Sequence, residues 1–170
     1  MNIRPENILD YPTIAEVNTL AFGGEKEAKL VEIIRSSNGY IPELSLVAEI
    51  ENTVVGYIMF SYIDLVAEEQ LPVLSLAPMA VHPEWQKQGI GSALLKLGLE
   101  IADNRGEALV IVLGYPQLYT PFGFQGSINY QIESPFAVPE DVFMVKTLSG
   151  YHEKYKGKVI YPPAFKTDNF

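Results

Sequence analysis

The sequence predicts one α/β domain in which a mixed sheet carries helices on its faces. The chain has 170 residues, 48% of them apolar and 19% charged, enough for one well-filled core. Amphipathic stretches alternate along it with β-branched and aromatic runs instead of segregating into halves. No linker-like segment and no internal repeat divides it, so residues 1–170 are expected to form a single domain.

Asp10 followed by Pro12, with Ile14, Val17 and Ala21 at helical spacing, predicts a capped first helix that Gly23-Gly24 ends. Leu30, Ile33 and Ile34 share one side of a second helix, which Ser36-Ser37-Asn38-Gly39 breaks. Leu44, Leu46, Ala48 and Ile50 then alternate with polar residues, Glu51-Asn52-Thr53 turns the chain, and Val54 to Ile63 is β-branched and aromatic. That is the pattern of a hairpin.

Leu71 to Val81 is a further extended segment, Gly89 to Asn104 a helix, and Ala108 to Leu113 a compact buried strand. The helix is placed by Ile90, Ala93, Leu94, Leu97 and Ile101 on one face, with Lys96 and Glu100 on the other. Ile128 to Ile132 and Val142 to Thr147 are expected as two more strands, and the tail from Gly150 is not assigned.

Composition excludes several classes of function. Twelve basic residues against twenty-one acidic ones give a formal charge of -9, so a nucleic-acid backbone would be repelled and cationic partners such as amines attracted. With no cysteine there is no disulfide, thiolate metal cluster or thiol nucleophile. His82 and His152 stand apart and accompany no Gly-x-Ser-x-Gly, so neither a hydrolase triad nor a metal site is expected. The first residues lack an apolar signal core, and the run from Val54 stops at Asp64, short of a bilayer span. No membrane partner and a cytoplasmic location are expected.

The most informative segment runs from Met79 to Ser92, ending a strand and opening a helix. First-turn amides lack intrahelical acceptors and sit at the positive end of the helix, while Gly89 and Gly91 present no side chain to hold an anion away. The segment therefore reads as a diphosphate cradle, or more simply as a tightened turn. A dinucleotide site would want a third glycine and an acidic residue near the next strand's end; Ala93-Leu94-Leu95 and Leu113-Gly114 stand there instead. Pro78 cannot donate to a ladder and marks an edge or bulge where the sheet should open.

Gln86-x-x-Gly89-x-Gly91, after Val81-x-Pro83, resembles the coenzyme A signature of the GNAT superfamily of N-acyltransferases. Tyr119-Thr120-Pro121-Phe122-Gly123-Phe124 is similar to that superfamily's Tyr-x-x-x-Gly-Phe element, and the two early helices match its N-terminal half. The resemblance implies a mostly antiparallel sheet of about seven strands with helices on both faces, the fourth and fifth strands splaying apart. It implies transfer of an acetyl group from acetyl-CoA to a small-molecule or peptide amine, by direct attack in a ternary complex and without a metal.

By the same resemblance Met79, Ala80 and Val81 would pair with the pantetheine arm, and the amide of Met79 or Ala80 would face the thioester carbonyl. Gln86, Lys87, Gln88, Gly89, Ile90, Gly91 and Ser92 would bind the diphosphate. Tyr119 is the candidate acid for the departing thiolate, since a phenol of pKa ~10 stays protonated at neutral pH; Tyr115 is its nearest competitor.

No general base is assigned, because Val73 to Val81 carries no carboxylate where many relatives place a glutamate. Glu25, Glu27, Glu49 and Asp64 read more simply as solvated charges, and a water chain could replace them. Gly114-Tyr115-Pro116-Gln117 departs from the superfamily, where an asparagine commonly precedes the tyrosine element. Two rivals stay open: a non-catalytic acyl-CoA-binding or regulatory protein of the same fold, and a dinucleotide oxidoreductase. Trp85 is expected against the helix start, Lys154, Lys156, Lys158 and Lys166 on a solvated face, and an exposed final strand or Val159 to Phe165 could pair with a second copy as a homodimer.

Overall fold

The computed structural model describes residues 1–165, so Lys166 lies outside the described residues. The strands are β1 (Asn2–Pro5), β2 (Tyr40–Ile50), β3 (Thr53–Val66), β4 (Gln70–Val81), β5 (Leu109–Leu113), β6 (Gln125–Gly126), β7 (Ile132–Glu133), β8 (Phe143–Thr147) and β9 (Gly157–Ile160). The helices are α1 (Tyr11–Phe22), α2 (Lys26–Arg35), α3 (Ile90–Asn104) and the single turn α4 (Pro116–Tyr119). One sheet runs β1-β2-β3-β4-β5-β8-β6, with β9 pairing the far end of β3 and β7 pairing β9. All pairs are antiparallel except β4–β5 and β7–β9.

The hairpin forms as its alternation requires, with Glu51 and Asn52 both at positive φ in a two-residue turn. Alternate residues of β2 and β3 feed two cores. Val47, Tyr57, Met59 and Ile63 face α1 and α2, packing with Ile14, Leu30, Val31 and Ile34. Leu46, Ala48, Ile58 and Phe60 face α3, packing with Ile90, Leu94, Leu95 and Leu99.

The sheet has nine strands among the described residues, where about seven are expected. The two-residue strands β6 and β7 are too short to carry an alternation signal. The expected strand from Ile128 is a 3-10 turn over Ser127–Tyr130; Gln131 at φ 58 ends it, and only Ile132 and Glu133 pair. Nor is the last strand an open edge, since β9 pairs on both sides and Val159 is fully buried.

Two local readings are also shifted. Asp10 makes no capping hydrogen bond to α1; Asn7 caps the 3-10 turn before it in a reciprocal box with Asp10, whose carboxylate also takes two hydrogen bonds from Arg4. On α3 the buried face is Ile90, Leu94, Leu95, Gly98, Leu99 and Ala102, while Ala93, Leu97 and Ile101 flank it. Gly98 is the cause: a Cβ there would collide with the Phe60 ring, so its absence lets the helix settle onto the sheet along that line. Gly56 on β3 serves the same approach, since a Cβ would meet Ile90 at 2.8 Å and Leu94 at 3.1 Å.

Candidate active site

β4 and β5 are bonded at only two rungs, Leu74↔Val110 and Ser75↔Ile111. Beyond them β5 runs on along β8 as far as Leu113↔Phe143, while β4 stays with β3 as far as Gly56↔Val81. A wedge therefore opens from Leu76 onward. A bulge maintains it: Ala77 and Pro78 both lie opposite Met59 in the β3–β4 register, which bends β4 away. The opening thus begins two residues before the proline that predicts it.

Along the open edge, Met79, Ala80 and Val81 pair only with β3. The His82 N–H donates to Val55 O at 2.8 Å. Strand alternation then turns the Ala80 amide toward β3 and those of Met79 and Val81 toward the wedge.

At the mouth of the wedge stands the loop into α3. Trp85 N–H donates to His82 O and Ala93 N–H to Gly89 O, and between them the backbone N–H groups of Gln86, Lys87, Gln88, Gly89, Ile90, Gly91 and Ser92 meet no acceptor among the described residues. Lys87 at φ 63 and Gly89 at φ 84 produce this run, because left-handed backbone turns successive amides out of the helical ladder. The Gln86 side chain faces inward, donating from Nε2 to Val81 O at 3.0 Å, so it braces the loop against the strand end. Lys87, Gln88 and Ser92 are exposed, Ile90 is buried in the α3 core, and Trp85 packs partly buried against that core.

Gly89 is dictated by its φ, whereas Gly91 is not dictated by anything in the protein. A Cβ at Gly91 would make only ordinary contacts, with Val81 Cγ2 at 3.7 Å and Met79 Cε at 3.9 Å. What its missing side chain leaves clear is the row of free amides. Such a row at a helix N-terminus suits a diphosphate, in charge and in donor number.

Tyr119 lies at the end of α4, buried in the same apolar cluster as Leu76 and Val112, the residues just past the last β4–β5 rung. Its ring lies on Gly114, where a Cβ would come within 2.5 Å of Cε2, and meets Phe124 edge-on at 5.5 Å. The absence of a side chain at Gly114 thus makes room for the tyrosine. Burial pushes the phenol up to about 12, and its hydroxyl has no hydrogen-bond partner among the described residues. Tyr115 is 71% exposed, which removes it from the apolar wall of the wedge.

On the opposite face the wedge leads into a cavity of about 600 Å3. Ser75 and Ala77 of β4, Leu113 of β5, Phe136, Tyr161 and Phe165 line it. The last three carry no signal in the sequence, since their segments lack periodicity and reach the site only through the β3–β9 pairing.

None of the carboxylates considered as bases lines that cavity: Glu25 is exposed beside Lys29, Glu49 binds Arg4 and Asn2, and Glu27 and Asp64 lie elsewhere. Glu6 has a fully enclosed side chain, which takes hydrogen bonds from Arg35 at 2.9 Å, Tyr40 at 2.7 Å and Tyr57 at 3.0 Å. With its lone pairs so engaged it anchors β1 to α2 and β3 and has no free site for a substrate proton. Among the described residues no group of three or more His, Cys, Asp or Glu could hold a metal, and no helix is long and apolar enough to cross a membrane.

Comparison with known proteins agrees with this geometry. The family model of the Acetyltransferase (GNAT) family matches residues 11–124. The uncharacterized N-acetyltransferases YjhQ and YhbS of Escherichia coli are 38% and 35% identical to the chain, over 78% and 88% of it and 74% and 88% of their own lengths. The crystal structure of E. coli YhbS in complex with CoA superposes with a TM-score of 0.86 at 31% identity, covering 98% of this chain and 92% of that one. A Brucella melitensis GNAT acetyltransferase in complex with acetyl-CoA gives 0.79 at 28% identity, covering 97% of each. A splayed β4–β5 pair capped by a glycine-opened amide row, in a chain matching on all these measures, belongs to the GNAT family of acetyltransferases.

Proposed function

We propose that the protein transfers an acetyl group from acetyl-CoA to a primary amine by direct attack in a ternary complex. The observation that carries this reading is the run of seven backbone amides, Gln86 to Ser92, that meet no acceptor among the described residues at the mouth of the wedge. The CoA and acetyl-CoA held by the two structural relatives support it.

The diphosphate is assigned to that amide row, and the pantetheine arm to the open edge of β4, where the Met79 and Val81 amides stand free to pair with it. Of the two amides that could face the thioester carbonyl, alternation favours Met79, whose N–H would stabilise the oxyanion of the tetrahedral state. The attacking amine must be neutral, and an apolar wedge itself disfavours the ammonium. As the carbon–sulfur bond breaks, Tyr119 gives its proton to the thiolate, and the proton shed by the amine nitrogen restores the phenol through water; burial keeps the phenol protonated, and its hydroxyl has no acceptor among the described residues.

Acetyl-CoA is expected to raise the melting temperature while NAD does not, and no shift at saturating acetyl-CoA would refute the assignment. Tyr119→Phe is expected to lower kcat about 100-fold or more with little change in coenzyme affinity. Since no carboxylate among the described residues lines the cavity, kcat/KM is expected to rise with pH up to the acceptor's own pKa. A plateau near pH 6 for a strongly basic acceptor would reveal an enzyme base.

One observation favours a second reading. Among the described residues no carboxylate lines the cavity beside the wedge, as suits a non-catalytic acyl-CoA-binding protein. Coenzyme binding without thiol release across a broad amine panel would establish it.

A further inference from the structure

We propose that the 600 Å3 cavity selects the acceptor, and that the acceptor is a primary monoamine on an apolar group of ring size, with no second cationic centre. The inference rests on the acyl-transfer reading and extends it to a substrate class.

The cavity is continuous with the wedge. It takes Ser75 from the last β4–β5 rung, Ala77 from the bulge and Leu113 from the end of β5. An amine lodged there faces whatever the wedge holds from the side opposite Tyr119. A volume of this size is typical of a small-molecule site.

The walls decide what fits. Phe136, Tyr161 and Phe165 form a continuous aromatic side, with ring centroids 5.4 Å apart in each neighbouring pair. Such a surface gains most by burying another apolar or aromatic group. The polar handles are few: the Ser75 hydroxyl interacts with the Tyr161 phenol, which burial pushes up to about 12 and so keeps neutral. Among the described residues the lining contains no aspartate or glutamate, and Lys158 is its one charged residue.

A polyamine or aminoglycoside would bring further ammonium groups into a cavity whose described residues offer them no counter-charge and one like charge. A monoamine can enter neutral, the form that attacks. The overall charge of -9 favours cations in general, so the cavity opposes the bulk electrostatics of the chain.

The test compares thiol release from acetyl-CoA with phenethylamine and phenylalaninamide against spermidine and an aminoglycoside. The aromatic monoamines are expected to show kcat/KM at least about tenfold higher. Lys158→Glu is expected to narrow that ratio several-fold by gain on spermidine.

Binding is followed separately by titrating phenethylamine into the protein without coenzyme. Ala77→Phe, which fills the cavity, should abolish the binding, and Phe136→Ala, at a more exposed position, should weaken it. Spermidine used as well as phenethylamine, an unchanged ratio in Lys158→Glu, or phenethylamine binding indifferent to both cavity variants would overturn the assignment. If acetyl-CoA binds and spermidine or the aminoglycoside releases thiol while no monoamine does, the cavity assignment is what fails; if acetyl-CoA binds and no amine releases thiol, the transfer reading fails. If acetyl-CoA does not bind, the transfer reading fails and the titration alone judges the cavity.

Discussion

Gly91 and Gly98 lie about two turns apart on α3, and they are glycines for opposite reasons. In the middle of the helix, a side chain at Gly98 would strike the buried Phe60 ring, so the protein itself forbids one. At the opening of the helix, a side chain at Gly91 would touch Val81 and Met79 at ordinary distance, so the protein permits one. A glycine that packing does not require costs helix stability, and that cost has a rationale when the cleared space serves a ligand. The middle of α3 is thus built for the fold, and its first turn is left clear for the diphosphate proposed above.

The largest effect that could break this contrast is at the packed position. Gly98→Ala is expected to destabilise by about 1–3 kcal/mol through overpacking against Phe60, read from the urea midpoint, with acetyl-CoA affinity of the folded protein unchanged. Stability within about 0.5 kcal/mol of the parent would show that Phe60 can move aside and that Gly98 is not a packing constraint.

Next comes the opening turn. Gly91→Ala is expected to raise stability by up to about 1 kcal/mol through helix propensity while weakening acetyl-CoA by about tenfold, or ~1.4 kcal/mol. Loss of stability with unchanged affinity would reverse the roles of the two glycines.

The smallest effect sharpens the comparison from outside α3. Hydrogen bonds from Arg4 first, and from the Asn7 amide, hold the Asp10 carboxyl below its usual pKa. A depressed folded-state pKa contributes stability that is present above the unfolded value of ~3.9 and is lost as pH falls through the folded one. Asp10→Asn should therefore lower the urea midpoint at pH 7, by an amount near 1 kcal/mol, and the difference from the parent should shrink below pH 4. Coenzyme affinity should not change with it, since Asp10 belongs to the cap before α1.

Much of the candidate site was legible because its signals are local. The residues from Met79 to Ser92 lie in one stretch of chain, and backbone amides freed by glycine and a helix start need no distant partner to be recognised. The wedge was legible through Pro78, although the opening starts at Leu76, where the bulge begins to bend β4. The buried stripe of α3 was misjudged by one position on either side, because a glycine carries no apolar weight in a periodicity even when it occupies the centre of the packed face. Phe136, Tyr161 and Phe165 were illegible as site residues, since they lie in segments without regular alternation and reach the cavity only once β9 pairs with β3.

By itself the sequence determined the features that depend on neighbours along the chain: the hairpin, the helix that begins at the amide row, and the absence of a carboxylate from Val73 to Val81. Only the tertiary structure decided how β4 parts from β5 after two rungs, which face Tyr119 occupies, and which aromatic residues close the cavity opposite. The physical reason is range. Capping, turn formation and unpaired amides are settled within a few residues, whereas a cavity is a space left between segments that meet only when the whole sheet has closed.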